Sequence, residues 1–142
     1  MLTVYIGWDS REPIAADVCR YSILEHASIP VDIVMLKQDE LRKRELYWRD
    51  VDKLASTEFT FTRFLVPELN NFEETAIFMD SDMVLTTDIA ELIADVDPKK
   101  AVSCVQHDYT PPEGVKMDGQ QQLAYPRKNW SSMVVWNCAH KG

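Results

Sequence analysis

Long apolar runs, paired cysteines and a positive net charge are all lacking in this 142-residue sequence. No apolar run approaches the ~20 residues of a spanning helix, so we expect no membrane span. Cys19, Cys104 and Cys138 form no C-x-x-C pair and are odd in number, which indicates reduced core thiols in a cytoplasmic protein. The net charge of -8 argues against nonspecific binding to nucleic acid or anionic membranes, because both attract basic surfaces.

Glycine is also scarce, with four in the chain. One of them, Gly7, follows a predicted first strand over Leu2–Ile6, and Ser10 is expected to cap the helix after it. A single glycine in this turn cannot form the Gly-x-Gly-x-x-Gly fingerprint, which argues against a Rossmann dehydrogenase. One side of the helix is expected to be buried, and it consists of Ala15, Val18, Cys19, Ser22 and Ile23.

The remaining apolar runs alternate with helical patterns along the chain. Strands are predicted over Val31–Leu36, Ala76–Met79, Ala101–Gln106 and Met133–Trp136. This alternation predicts one α/β domain over residues 1–142, built on a mostly parallel sheet with both faces covered.

Two helical segments and one irregular segment complete this prediction. A helical pattern starts at Ser56 and is expected to stop at Pro67. A short helix is predicted over Asp88–Ile93, with Thr87 or Asp88 as its cap. The stretch Thr110–Arg127 has few apolar residues and predicts a long loop, a kind of segment that is often functional in compact domains.

The motif Asp80-Ser81-Asp82 carries the most information about function. It directly follows Ala76–Met79, a run apolar enough for a buried strand, and ligands of open α/β sheets bind where such strands end. Aspartates two residues apart can be aimed at one hard cation, while the remaining coordination positions accept water and phosphate oxygens. The pattern therefore predicts a Mg²⁺ or Mn²⁺ site that carries a diphosphate, although aspartates after strands also cap turns.

Basic side chains suggest two further contacts. Arg63 precedes the strand that carries the aspartates, and it is expected either to reach a phosphate at the same edge or to pair with a surface carboxylate. The run Arg42-Lys43-Arg44 is expected to be a solvated helix face or loop rather than a site for an anionic acceptor.

Together these segments resemble the nucleotide-sugar glycosyltransferases of GT-A fold, most closely glycosyltransferase family eight and its bacterial relatives. The resemblance rests on Val4–Asp9, Ser56–Pro67 with Arg63, Phe78–Asp82 followed by Asp88-Ile89, and Asn129–Asn137, in the same order along the chain. It implies a Rossmann-like three-layer sandwich with a mostly parallel sheet. It also implies hexosyl transfer, with retention, from a UDP-sugar to a saccharide or another hydroxyl acceptor.

The resemblance assigns roles to particular residues. Asp80 and Asp82 would hold Mn²⁺ or Mg²⁺, and together with Arg63 they are the catalytic candidates. Donor binding would involve Gly7, Trp8, Asp9, Arg63, Ser81, Ser131 and Ser132, with the first three at the base and ribose.

Two departures from the family pattern leave alternatives open. Asn129-Trp130-Ser131-Ser132 stands where the family has Phe-Asn-Ser/Ala-Gly, and no His-x-x-Gly-x-x-Lys-Pro motif follows Cys138 to supply a third metal ligand. We therefore expect a donor-binding domain that is incomplete at its C-terminus. One alternative is a haloacid-dehalogenase-type phosphatase, with Asp80 as nucleophile. The other is a noncatalytic module that binds nucleotide and metal without turnover, or that pairs with another chain, as in a homo-oligomer, through an open sheet edge and apolar surface.

Overall fold

The structure is a computed structural model that describes residues 1–107, 114–115, 121–122 and 128–141. Its strands are β1 (Leu2–Gly7), β2 (Val31–Leu36), β3 (Thr75–Met79), β4 (Val102–His107), β5 (Gly114–Val115), β6 (Gln121–Gln122) and β7 (Lys128–Asn137). Its helices are α1 (Pro13–His26), α2 (Gln38–Lys43), α3 (Val66–Leu69) and α4 (Ile89–Asp95), with a 3-10 helix over Thr62–Leu65. The α/β class and the predicted strands are confirmed.

The central sheet has five strands in the order β2-β1-β3-β7-β4. β1 pairs in parallel with β2 and β3, whereas β7 pairs antiparallel with both β3 and β4. Four of the five strands therefore run in one direction, and their ends define a single carboxyl edge of the sheet. Since β7 runs the other way, its first half returns to that edge, with Met133 opposite Met79.

Both faces of the sheet are covered, which makes three layers. On one face α1 and α4 pack against alternate strand residues, and this core contains Val4, Ile6, Cys19, Ile23, Ile77, Met79, Ile89 and Val135. On the other face the segments around α2 and α3 cover a core that contains Tyr5, Leu41, Tyr47, Phe59, Val66, Ala76, Phe78 and Val134. β3 is apolar on both faces because it is the central strand and both faces of the sheet are covered at this position.

Three details of the predicted helices are wrong. The N-cap of α1 is Glu12, because the Ser10 hydroxyl donates instead to the Glu58 carboxylate. On the buried side of α1, Cys19, Ser22 and Ile23 are buried as predicted, but Ala16 is buried rather than Ala15, and Val18 is exposed. Pro67 does not stop a helix; it lies in the first turn of α3, where its missing N–H has no partner to lose.

The helix predicted from Ser56 begins only at Thr62, as a 3-10 helix, and Cys104, predicted to be a core thiol, is exposed, whereas the helix predicted over Asp88–Ile93 is confirmed as α4. Asp88 caps α4, and its Oδ1 accepts a hydrogen bond of 3.0 Å from the Ala90 N–H. The predicted loop Thr110–Arg127 lies mostly outside the described residues, apart from the paired strands β5 and β6. None of the described helices combines the length and the apolarity needed to cross a bilayer.

Candidate functional site

The two aspartates of the motif lie at the carboxyl edge, immediately after β3. The Asp80 N–H donates a 2.7 Å hydrogen bond to the Ser132 carbonyl, which fixes the strand end against β7. The Asp80 side chain is mostly buried and Ser81 is buried, whereas Asp82 is exposed. The motif thus presents one carboxylate inside the edge and one toward solvent.

Arg63 pairs with the buried aspartate. Its Nη1 lies 3.2 Å from Asp80 Oδ1 and donates a 2.7 Å hydrogen bond to the Ser131 carbonyl. Of the two roles predicted for Arg63, the salt bridge is confirmed, but its partner is the motif carboxylate and not a surface one. The contact with a phosphate stays a prediction.

Two aromatic rings hold the Arg63 guanidinium in place. Its Cζ lies 4.8 Å from the Phe78 ring centroid and 5.6 Å from that of Phe59. The two rings are themselves 6.1 Å apart and tilted by 50°. Such contacts between a cation and aromatic faces are strengthened when water is excluded, and Arg63 is only 8% exposed. The guanidinium is therefore a fixed donor and not a mobile one.

The environment of Asp80 favours a ligand for its carboxylate. Burial raises the pKa of Asp80 to about 6, although the Arg63 charge and the Ser132 hydroxyl act in the opposite direction. Among the described residues no hydrogen-bond donor is directed at the buried Oδ1 atom. Arg63 Nη1 lies 3.2 Å from this atom as its ion-pair partner, and the same nitrogen also donates a hydrogen bond to the Ser131 carbonyl. Buried carboxylate oxygens normally have partners, so this atom is suited to a cation.

Asp9 belongs to a neighbouring cluster that ties the β1–α1 turn to residues 56–58. Its Oδ1 accepts from the backbone N–H and Nε of Arg11 at 3.0 and 2.9 Å. Its Oδ2 accepts from Arg11 Nη2 at 2.7 Å and from the Glu58 N–H at 3.2 Å. These four bonds match the roughly four acceptor positions of a carboxylate. In this conformation Asp9 therefore holds the turn, and its predicted contact with a ribose stays a prediction.

The Asp9 cluster makes stability depend on pH. Hydrogen bonds from the Arg11 side chain, more than any other cause, lower the pKa of Asp9 to about 2. A carboxyl group whose pKa is lower in the folded than in the unfolded protein stabilises the folded state at pH values above its unfolded-state pKa. This contribution of Asp9 is lost as the pH falls toward 2. We expect Asp9→Asn to reduce the free energy of unfolding by about 2 kcal/mol at neutral pH and by much less at pH near 2.

Urea unfolding of wild type and variant across this pH range measures the effect. Asp17→Asn, on the exposed side of α1, is the matched control. Asp80 has a raised pKa, so its contribution to stability falls as the pH rises from near 4 to near 6, opposite to the trend expected from Asp9. The quantity to compare is therefore the difference in the free energy of unfolding between wild type and variant, in which the Asp80 contribution cancels. A difference that stays constant with pH would contradict this assignment.

Gly7 and Trp8 occupy the same turn for different physical reasons. A Cβ on Gly7 would lie 2.5 Å from Cγ of Phe59, so glycine is required there by packing. Trp8 is half-buried, and Lys37 Nζ lies 5.2 Å from its ring centroid. Phe59 contacts both Gly7 and Arg63, and it thereby links the Asp9 cluster to the Asp80 cluster.

Sequence reasoning missed Lys37, Phe59 and Glu58. Lys37 follows directly after β2, a position that a parallel neighbour of β1 places at the same edge. The position of Lys37 directly after a predicted strand could therefore have identified it as a residue of the carboxyl edge. Phe59 and Glu58 lie in an irregular segment, and nothing local indicates that they reach back to residues 7–10.

The described side chains offer two carboxylates for a metal rather than a complete set of ligands. No group of three or more His, Cys, Asp or Glu side chains with metal-binding geometry is present in the described part of the chain. Asp80 and Asp82 nevertheless fit Mg²⁺ or Mn²⁺, since these ions are commonly held by one or two carboxylates plus substrate phosphates and water. The buried Oδ1 of Asp80, which is ion-paired with Arg63 but accepts no well-directed hydrogen bond from the described residues, supports this fit.

No protein-family model matches the sequence. Protein CDI of Arabidopsis thaliana is 52% identical over 137 residues, which are 96% of this chain and 53% of that protein. The chain thus spans about half the length of this curated relative.

Solved structures with a similar fold are glycosyltransferases. The apo structure of the bifunctional glycosyltransferase WbbM superimposes with a TM-score of 0.63 and 17% identity, over 96% of this chain and 31% of that one. The glycosyltransferase GlyE of Streptococcus pneumoniae TIGR4 gives a TM-score of 0.59 and 16% identity, over 98% of this chain and 35% of that one. The chain therefore has the α/β fold found in about a third of the length of these glycosyltransferase structures.

Proposed function

We propose that this chain is the donor-binding part of a metal-dependent glycosyltransferase that transfers a sugar from a UDP-sugar to a hydroxyl acceptor with retention. The observation that carries the proposal is the buried Asp80 carboxylate at the carboxyl edge. It is oriented by Arg63 and by β7, and its Oδ1 lacks a directed donor. The shared fold with WbbM and GlyE and the exposed Asp82 beside this carboxylate add support.

In this proposal the protein mainly positions the donor. Asp80 and Asp82 would hold Mn²⁺ or Mg²⁺, which when bound neutralises charge on the departing diphosphate. The Arg63 guanidinium, held between Phe59 and Phe78, would supply a preorganised positive charge next to the same phosphates. Preorganised charge is effective because it costs no rearrangement when the sugar leaves.

The turn after β1 would receive the base and ribose. Trp8 offers a ring face, and the backbone of Gly7–Asp9 offers polar groups near the carboxyl edge. Since the Asp9 carboxylate is already bonded to Arg11 and Glu58, it would act by shaping this turn. Ser131 and Ser132 would line the sugar side, because β7 brings them to Arg63 and Asp80.

Calorimetric titration of UDP tests the donor site directly. With Mn²⁺ present we expect binding that EDTA abolishes and that Asp82→Asn weakens at least tenfold, which is about 1.4 kcal/mol. Asp80→Asn should have a similar effect, and Asp17→Asn should bind like wild type. Thermal melts of every variant establish that the fold is retained.

Two outcomes would overturn the proposal. One is UDP binding that neither EDTA nor the two aspartate variants change. The other is hydrolysis of a phosphomonoester that Asp80→Asn abolishes, without UDP binding, which would favour the phosphatase alternative. If UDP binds as expected, release of free sugar from UDP-sugars then identifies the donor.

A further inference from the structure

The loop between α2 and the 3-10 helix carries an unusual set of exposed apolar side chains. Trp48, Val51 and Leu54 are 83%, 77% and 85% exposed, more than any other large hydrophobic residue in the described part of the chain. Single exposed apolar residues are ordinary on protein surfaces. Three within seven residues, including a tryptophan, are a local concentration of exposed apolar side chains, and such concentrations mark candidate interaction sites.

Basic residues flank and intersperse this apolar stretch in the sequence. Lys43, Arg44, Arg49 and Lys53 are all exposed, and together with Arg42 they give residues 42–54 five cations. The acidic residues of the same stretch are three, Glu45, Asp50 and Asp52, so the segment is net positive in a chain of net charge -8. At physiological ionic strength, salt screens interactions between exposed charges that are more than about 8 Å apart. The sign of the charge near a contact surface therefore matters more there than the net charge of the whole chain.

The base of the loop is fixed, so its apolar side chains are held outward. Arg42 Nη2 donates a 2.6 Å hydrogen bond to the Arg49 carbonyl and its guanidinium stacks on the buried Tyr47 ring, 4.8 Å from the centroid. Arg49 stacks on Phe61 at 4.0 Å. The loop therefore pays little additional ordering entropy when a partner binds.

We propose that residues 42–54 form a surface that binds bilayers containing anionic phospholipids. Tryptophan favours the headgroup region because its ring is apolar and its N–H is polar. Valine and leucine side chains gain free energy by entering the acyl boundary. Each Lys or Arg close to an anionic lipid surface adds about 1 kcal/mol. Trp48, the aliphatic side chains of Val51 and Leu54, and the cations of residues 42–54 together supply these three interactions with an anionic bilayer.

The surface adjoins the carboxyl edge of the sheet. Arg11, which bonds Asp9, also donates a 2.8 Å hydrogen bond to the Ser56 carbonyl, two residues beyond Leu54. Glu58 of the same segment bonds Asp9 through its N–H. A bilayer contacted by the loop would therefore lie on the side of the molecule that carries the candidate site.

Vesicle cosedimentation tests this inference independently of any nucleotide. We expect at least tenfold stronger partition onto vesicles that contain phosphatidylserine than onto pure phosphatidylcholine vesicles. The triple variant Trp48→Ser, Val51→Ser, Leu54→Ser should lose at least tenfold in partition, and Lys43→Gln with Arg44→Gln should weaken binding to the anionic vesicles alone.

A second triple variant on α1 provides the matched control. Ile14, Val18 and Tyr21 are also exposed, but the charged residues of their helix and its N-cap are mainly acidic, with Glu12, Asp17 and Glu25 against Arg20. Their replacement by serine should leave vesicle binding unchanged. Equal partition of wild type and the loop variant, or no partition at all, would overturn the inference. A third result would also overturn the inference: the wild type self-associates in sedimentation velocity, the loop variant does not, and neither binds vesicles. That result would assign the surface to a second copy of the chain.

Discussion

Replacement of Arg63 by methionine is expected to lower the free energy of unfolding by about 3–5 kcal/mol at neutral pH, measured by urea unfolding in EDTA. Methionine fills much of the same volume, so the loss comes mainly from charge. The variant leaves the Asp80 carboxylate buried without its cation, and it removes the contacts of the guanidinium with Phe59 and Phe78. An uncompensated buried charge is among the most destabilising single changes.

A double variant separates charge from packing. Arg63→Met with Asp80→Asn removes both charges, so it should recover a large part of the loss. Arg20→Met, which removes an exposed arginine from α1, should cost less than about 0.5 kcal/mol. Additive effects of the two single variants would show that Arg63 and Asp80 do not interact, contrary to their 3.2 Å separation.

Replacement of Gly7 by alanine is expected to cost about 3 kcal/mol. The added Cβ would lie 2.5 Å from Cγ, 2.6 Å from Cδ2 and 2.9 Å from Cδ1 of the Phe59 ring, so the ring has to move. Movement is opposed because Phe78 and the Arg63 guanidinium pack against the same ring. The displacement should also disturb Arg63, and we therefore expect weaker UDP binding in addition to lower stability.

The background variant Phe59→Leu tests the cause of this effect. A leucine side chain leaves space near residue 7, so Gly7→Ala should cost clearly less in that background than in wild type. Urea unfolding of the two single variants and the double variant gives this comparison as a double-mutant cycle. The same cost in both backgrounds would mean that the backbone of residue 7, and not the ring, requires glycine.

Features that depend on neighbouring residues were predictable from the sequence. The apolar run before Asp80 identified β3 because a central strand is buried on both faces. Asp88 was one of two candidate caps for α4, because a cap bonds the backbone of the next turn of chain. Features that depend on distant residues were not. Arg63 had two equally weighted roles in the sequence, because its actual partners lie at positions 80 and 131.

The net charge illustrates the same limit. A total of -8 argued against anionic membranes, but a total does not describe how charges are distributed over the surface. The run Arg42-Lys43-Arg44 was visible in the sequence as a solvated segment. What the sequence could not reveal is that Trp48, Val51 and Leu54 are left outside the core while Tyr47 and Phe59 enter it.

The position of β7 in the sheet has a consequence for folding. β7 lies between β3 and β4, although β4 precedes it in the chain, and β4 joins the described sheet through β7. The parallel strands β2, β1 and β3 are complete once residue 79 has been synthesised, whereas β4 must wait for residues 128–137 before it can pair. β7 is also the last of the described strands to be synthesised. Because Ser131 and Ser132 of β7 bond to Arg63 and Asp80, we expect the candidate site to be completed only when β7 joins the sheet.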